Sequence, residues 1–294
     1  MKKPTIEHYH ARMQRVIDYI DDHLDEALDL DRLSDLSAFS KYHFHRQFIA
    51  IFGISLHRYV HLCRMKHASF RLAFRDDHRI TDIGLDAGYE ASEAFARAFR
   101  QCFGQAPSRF RKSPDWASWL QTLKSLDQAR STFMPRQFLH SDINIVELET
   151  RHIACMTHHG DPASVGDTVQ AFIAWRKQQG LLPRMSATFN LFYNDPETVP
   201  PDEFRMDICA GIEGDFSNSD PRIHLSTIPA GRYARLRVSG IAGEMPRGAS
   251  FLYREWLPES GSELRDFPFF CERVRFFPDV AEAEAITDLY LPLA

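Results

Sequence analysis

Two arginines, Arg46 and Arg97, stand where residue type and spacing could do chemistry. Around the first, Phe44, Phe48 and Phe52 recur every four residues and Gly53 follows; around the second, Phe95, Phe99, Phe103 and Gly104 repeat the series 51 positions later, as Arg97 repeats Arg46. A four-residue spacing puts the rings on one face of a helix. The opposite face then carries Tyr42, His45 and Arg46 in the first copy, and Ser92, Glu93, Ala94 and Arg97 in the second. An outward guanidinium offers a planar fork of N–H donors, which suits the paired acceptors of guanine or of a phosphate. Glu93 can accept a hydrogen bond there or pair with Arg97 four residues on. Lys41, Arg58, Arg64, Lys66 and Arg100 supply further cations of the kind that hold phosphates.

A second group of side chains lies in the other half. Phe189, Tyr193, Tyr233, Trp256, Phe270 and Tyr290, with Asp288 or Glu272 as the polar group, would suit an apolar cleft for a small lipophilic molecule. His158 and His159 are adjacent but have no third partner at metal spacing, and the five cysteines form neither a close pair nor a C-x-x-C. No metal, cofactor or disulfide is expected, and no catalytic residue.

The elements that must carry these residues follow from periodicity. Val16, Ile17, Ile20 and Leu24 mark a first helix, and Leu28 to Leu36 a short second one. Ser40 is an N-cap for a helix over Lys41–Phe52, a long helix is predicted over Leu56–Phe74, and Ile80–Ala87 begins another short one. Trp116, Trp119, Leu120 and Leu123 suggest a short amphipathic helix within a linker over 113–142 bracketed by Pro114 and Pro135. Beyond Ile143 the period falls towards two. Strands are predicted over Ile143–Glu149, His152–Thr157, Thr188–Tyr193, Arg205–Ile212, Arg232–Val238, Phe269–Phe276 and Ile286–Pro292. Helices interrupt them over Val165–Gln179 and near Phe251–Trp256.

The chain of 294 residues is therefore read as multidomain: an all-α domain over 1–112 with two helix-turn-helix units, then an α+β domain over 143–294 made of two related βαββ-type halves. Charge divides the same way. Residues 1–112 carry 18 Lys+Arg against 15 Asp+Glu, while the remainder carries 17 against 25, for a net −5. A basic segment joined to an acidic one suits a polyanion partner for the first part alone.

In a helix-turn-helix, a short helix and a tight turn set a second helix free to enter a major groove. Leu33–Ala38 with Lys41–Phe52, and Ile80–Ala87 with the Phe95 helix, meet that description. The run from Gly88 to Arg111, with Phe-Ala-Arg-Ala-Phe, Phe-Gly, Pro-Ser and a closing Phe-Arg, resembles the C-terminal signature of the AraC/XylS family of bacterial transcription regulators. Ala38 and Gly84 depart from it, standing where the family often has Gly and Ala. The resemblance covers about Ile6–Lys112 and implies double-stranded operator DNA as partner, RNA polymerase as a further candidate partner, and a DNA-facing set of Lys41, Tyr42, His45, Arg46, Ser92, Glu93, Arg97 and Arg100. A connecting helix of about 19 residues would span about 28 Å, enough to hold two reading helices near one DNA turn apart.

Phe192-Tyr-Asn-Asp-Pro-Glu-Thr-Val-Pro-Pro-Asp-Glu, Trp256-Leu-Pro-Glu-Ser-Gly-Ser-Glu-Leu-Arg-Asp and Thr287-Asp-Leu-Tyr-Leu-Pro-Leu resemble, in order, the gyrase-inhibitor-like effector-binding domain. That resemblance, over about Asn144–Ala294, implies a small lipophilic effector held between the two halves. Where the family commonly has glutamates this chain has Cys271 and Asp288, with Glu272 one place off, a departure from the family's cation-binding pattern. Two other readings of this half stay open: a small-molecule hydrolase using Asp288 and Glu272, for which no nucleophile-elbow motif is present, and a protein-interaction module. The start of the chain has no apolar signal core, so a cytoplasmic, nucleoid-associated protein is expected.

Overall fold

The computed structural model describes residues 6–133, 138–214, 216–240 and 244–294. It divides into two compact units, one holding the described residues up to 133 with the short segment Ala281–Ala283, the other holding the rest. Among the described residues no helix is long and apolar enough to cross a membrane.

The first unit is helical: α1 (Ile6–Asp22), α2 (Leu30–Ser37), α3 (Lys41–Phe52), α4 (Leu56–Phe74), α5 (Ile80–Asp86), α6 (Ser92–Phe103), α7 (Pro107–Lys112) and α8 (Trp116–Phe133). The two phenylalanine series are buried, and each packs ring on ring: Phe48 meets Phe52 at 4.5 Å and Tyr59 of α4 edge-on at 5.5 Å, while Phe99 meets Phe103 at 4.8 Å and Phe110 of α7 at 5.3 Å. α3 and α4 run over the expected residues, and α6 carries Phe95, Phe99 and Phe103 and ends at Gly104. The stretch read as linker differs. Its helix is not short but 18 residues long, and Trp116, Trp119, Leu123, Leu126 and Ala129 are buried in the core of this unit. Trp119 also donates its indole N–H to Ser69 of α4 at 2.7 Å.

A group of charges lies inside the same unit. The Arg130 guanidinium donates to Asp21 and, at 3.0 Å, to Glu282; Lys66 Nζ reaches the other oxygen of Glu282 at 2.9 Å and Asp127 at 3.0 Å. Lys66 is 3% exposed, so its reading as a phosphate-holding cation is corrected: its charge is spent on an internal network. The Arg64 side chain is likewise committed, donating to the carbonyls of Leu24 at 2.8 Å and Glu26 at 2.6 Å. Sequence periodicity placed both on the long helix but could not say which of its faces was covered.

Among the described residues the strands of the second unit form one eight-stranded antiparallel sheet, in the order β1-β6-β8-β7-β3-β4-β2-β5. Its strands are β1 (Ile143–Leu148), β2 (Arg151–His159), β3 (Thr188–Phe192), β4 (Arg205–Gly211), β5 (Ile223–Ile228), β6 (Gly231–Ser239), β7 (Phe269–Arg275) and β8 (Ile286–Pro292). α9 (Val165–Gln178) lies between β2 and β3, and α10 (Glu244–Phe251) lies between β6 and β7, continued by a wide turn over Leu252–Trp256 and a last turn α11 (Leu257–Ser260). The two βαββ halves expected from the sequence are therefore β2-α9-β3-β4 and β6-α10-β7-β8, joined where β3 pairs with β7. β5 was not anticipated. It leads into the second half yet pairs with β2 of the first, as β1 leads into the first yet pairs with β6 of the second.

Alternation along the strands separates two faces. Ala154, Met156, Ile208 and Ala210 pack with Phe172 and Trp175 of α9, and Ala234, Leu236, Cys271, Leu289 and Leu291 pack with Phe251 and Trp256. The opposite face carries Cys155, Phe189, Cys209, Tyr233, Phe270 and Tyr290.

Burial raises the Asp21 carboxyl from 3.8 to about 6, outweighing the pull of Arg130. The folded protein then binds one proton more than the unfolded chain between about pH 4 and pH 6, so stability should fall across that window by about 2–3 kcal/mol. Urea unfolding at a series of pH values should show that decline as pH rises in the native sequence and none in Asp21→Asn, whose amide does not titrate.

Candidate nucleic-acid interface and ligand face

The first helix-turn-helix is α2 and α3. Asp29 caps α2, accepting from Arg32 N–H at 2.7 Å, and the helix ends on Ala38, whose N–H returns to Asp35 while that of Phe39 returns to Ser34. The second, α5 and α6, ends its short helix the same way, Gly88 returning to Leu85 and Tyr89 to Gly84. Matched on these bonds, Ala38 corresponds to Gly88, an offset of 50, whereas the reading helices match at 51. The second turn is thus one residue longer.

Both turn positions are left-handed: φ is 52° at Ala38 and 78° at Gly88. Glycine takes this conformation without strain, and an alanine is disfavoured there by about 1–2 kcal/mol. At Gly88 a Cβ would also stand 2.8 Å from Cζ of Arg64. The arginine that ties the loop after α1 thus lies directly against the second turn.

Lys41, Tyr42, His45 and Arg46 on α3, and Ser92, Glu93, Arg97 and Arg100 on α6, are all exposed, with Tyr42 at 87%. Lys41 pairs with Asp31 at 2.5 Å on the surface. Among the described residues Arg46 and Arg97 form no ion pair, and Glu93 does not close on Arg97. Arg58 at the start of α4 is exposed as well.

In the second unit the face opposite the helices gathers most of the expected ligand-binding aromatics. Phe270 stacks on Tyr290 at 4.8 Å and 9°, Tyr233 meets Phe270 edge-on at 5.5 Å, and Phe189 stands 6.2 Å from Phe270. Arg265 lies over the Tyr233 ring at 4.7 Å and Arg151 over Phe189 at 5.7 Å. Glu272 is half-buried on this face, accepting from the Tyr290 hydroxyl at 3.3 Å with Arg151 Nη1 3.9 Å away. Burial and the nearby Glu272 push the Tyr290 hydroxyl up to about 12, keeping it a donor at neutral pH.

Three expected residues part from this group. Trp256 packs in the helix-covered layer beneath the second half, so the structure does not bring it to the aromatic face. Asp288 reaches the face, but Arg237 grips it with two bonds of 2.6 and 2.7 Å, which consumes its charge. Tyr193, 41% exposed, stands further along the sheet and donates to Asp207 at 2.7 Å. Cys271 faces the helices, leaving Glu272 as the carboxylate among the aromatics. His158 is held by Thr168 at 2.8 Å and by the carbonyl of Asp161 at 3.2 Å, not by His159.

Sequence reading missed Cys155, Asp207 and His224, whose ligand atoms lie within 4.8 Å of one another. They come from three strands far apart in the chain, so no local spacing could have announced them.

A short helix, a turn and an exposed second helix, twice over, define a helix-turn-helix protein, joined in one chain to an α+β sheet unit. The profile of a helix-turn-helix domain matches residues 33–113, and that of the GyrI-like small molecule binding domain matches residues 141–294. The chain belongs to the GyrI-like small-molecule-binding family, here joined to an AraC-type helix-turn-helix domain in the arrangement of a DNA-binding transcription regulator. It is 32% identical over 154 residues to the probable transcriptional regulator YgiV of Escherichia coli K12, covering 52% of this chain and 96% of that one. It is 36% identical over 104 residues to the HTH-type transcriptional regulator YbfP of Bacillus subtilis, covering 35% of each chain. Among solved structures it is similar to the EcmrR C-terminal domain, at 15% identity and a TM-score of 0.41 over 52% of this chain and 96% of that one.

Ala38→Gly should raise stability by about 1 kcal/mol by relieving the left-handed alanine. Gly88→Ala should lower it by about 1–3 kcal/mol, since it adds that strain and a clash with Arg64. Urea unfolding midpoints at constant m-value would check both signs.

Proposed function

We propose that this protein is a one-component regulator that reads a specific DNA sequence with α3 and α6 and takes a small lipophilic effector on the aromatic face of its sheet. The observation that carries the reading is the pairing of two buried phenylalanine series with two exposed arginine faces. In this reading Arg46 and Arg97 each present a guanidinium fork to a guanine edge, while Tyr42 and His45 meet base edges or thymine methyls. Ser92 and Glu93 stand at the start of α6, where the N-terminal residues of a recognition helix meet bases. Lys41, Arg58 and Arg100 contact phosphates, giving affinity without sequence.

The effector would lie against Phe189, Tyr233, Phe270 and Tyr290, with Glu272 as its charged partner. Tyr193 extends the wall, and Asp288 serves to hold Arg237 rather than the ligand. A ligand can alter DNA binding only through a difference in affinity between two states of the protein, so the effector is expected to favour one of them. RNA polymerase is the partner through which DNA binding would change transcription, and the cytoplasm is where all three would meet.

DNA sites enriched from a random pool by the full-length protein provide the test. Arg46→Ala and Arg97→Ala should each weaken binding to the enriched site by about 1–3 kcal/mol and relax base preference at one position. Arg100→Ala should weaken all sequences alike and flatten the salt dependence by about one counterion. No enrichment, or arginine variants that bind like the parent, would refute the DNA-reading assignment.

For the effector, calorimetric titration with a panel of lipophilic aromatic compounds should give a saturable heat. Glu272→Gln and Tyr290→Ala should lower that affinity about tenfold, and Trp256→Phe should leave it unchanged.

A further inference from the structure

The aromatic face continues past Phe189 towards the β5 edge, where its chemistry changes from rings to metal-binding atoms. Cys155 on β2 stands in register with Cys209 on β4 and with His224 on β5, and Asp207 is two residues before Cys209 on the same face. His224 Nε2 lies 3.4 Å from an Asp207 oxygen, and the Cys155 thiol lies within 4.8 Å of the ligand atoms of both. Cys155 and Cys209 are register partners on adjacent strands and face the same side of the sheet.

We propose that Cys155, Asp207 and His224 bind a divalent transition-metal ion of borderline softness, of which Zn2+ is the type. One thiolate, one carboxylate and one imidazole form a mixed S, O, N set that favours such an ion over Mg2+ or Ca2+, which take oxygen. Two anionic ligands balance a 2+ ion, so the ion would leave no net charge in a buried place. At about 2.0–2.3 Å from the metal, tetrahedral ligands stand about 3.3–3.8 Å apart. The imidazole and carboxylate already have that separation at 3.4 Å, and the thiol, within 4.8 Å of both, needs to close by at most about 1 Å.

The shell around the carboxylate is built as such sites are built. Thr157 donates to one Asp207 oxygen at 2.6 Å and Tyr193 to the other at 2.7 Å, fixing the plane of a carboxylate that is itself fully buried. His224 is about half exposed on the edge strand, which gives an ion a way in from solvent. Cys209 stands beside Cys155 as a neighbouring thiol.

The test is a titration of the metal-stripped full chain, kept reduced by a phosphine, with Co2+ followed by displacement with Zn2+. One equivalent of Co2+ should produce a thiolate-to-cobalt charge-transfer band and tetrahedral d–d bands. Zn2+ should abolish them, and binding should release about one proton as the thiol ionises. His224→Ala and Cys155→Ser should each weaken binding more than tenfold, while Cys63→Ser and Cys102→Ser leave it unchanged. His224→Ala is at an exposed edge position, and an unaltered urea midpoint would show that its loss of metal is not a loss of fold. Absence of the charge-transfer band, or its survival in His224→Ala, would overturn the assignment.

Discussion

The helical unit depends on the burial of aromatic rings spaced every fourth residue. Once Phe44, Phe48 and Phe52 are driven inward, α3 has no freedom to roll, and the side that bears Tyr42, His45 and Arg46 must face solvent. The same holds for α6 around Phe95, Phe99 and Phe103. Specificity in such a reader therefore rests on residues that never touch DNA. α4 lies between the copies, packing Tyr59 against the first series, and α8 closes the core through Trp116 and Trp119. Within this apolar interior Arg130, Lys66, Asp21 and Glu282 neutralise one another, an arrangement in which loss of one partner strands a buried charge.

In the sheet unit, period-two alternation does the corresponding work. One face of the two halves is covered by α9 and by α10 with its continuation, while the other gathers aromatic rings around the central strands. The leading strand of each half pairs with the other half, so neither half owns a complete set of backbone partners. The face becomes one continuous surface rather than two joined pieces. Along it the character shifts from Phe270 and Tyr290 to Cys155, Asp207 and His224 with no break in pairing.

Much of this was legible in the sequence. α3 and α6 follow from ring spacing and the glycines that end them, α4 from the Arg75-Asp-Asp-His turn that closes it, and seven of the strands from alternation. What escaped depends on neighbours distant in sequence. β5 alternates too weakly to be recognised, with exposed Leu225 and buried Ile223 and Ile228 at its ends. α8 looked like a linker because its burial comes from α3, α4 and α6 rather than from its own composition. Lys66 and Trp256 were misplaced for one reason: periodicity gives the angle of a residue about its own helix, not which neighbour that angle meets. The extra residue in the second turn was hidden by the even spacing of the phenylalanines, and only the bonds that end α2 and α5 expose it.

A homodimer must show DNA the same helix twice, and its target is accordingly a palindrome. Here the duplicated helices share a chain, and nothing obliges them to remain alike. α3 presents Tyr42, His45 and Arg46, α6 presents Ser92, Glu93 and Arg97, and their turns already differ in length. The sequence recognised by one molecule should then have a head and a tail, so that the regulator sits on the duplex with a defined polarity and its two sub-sites can drift apart in evolution one base at a time.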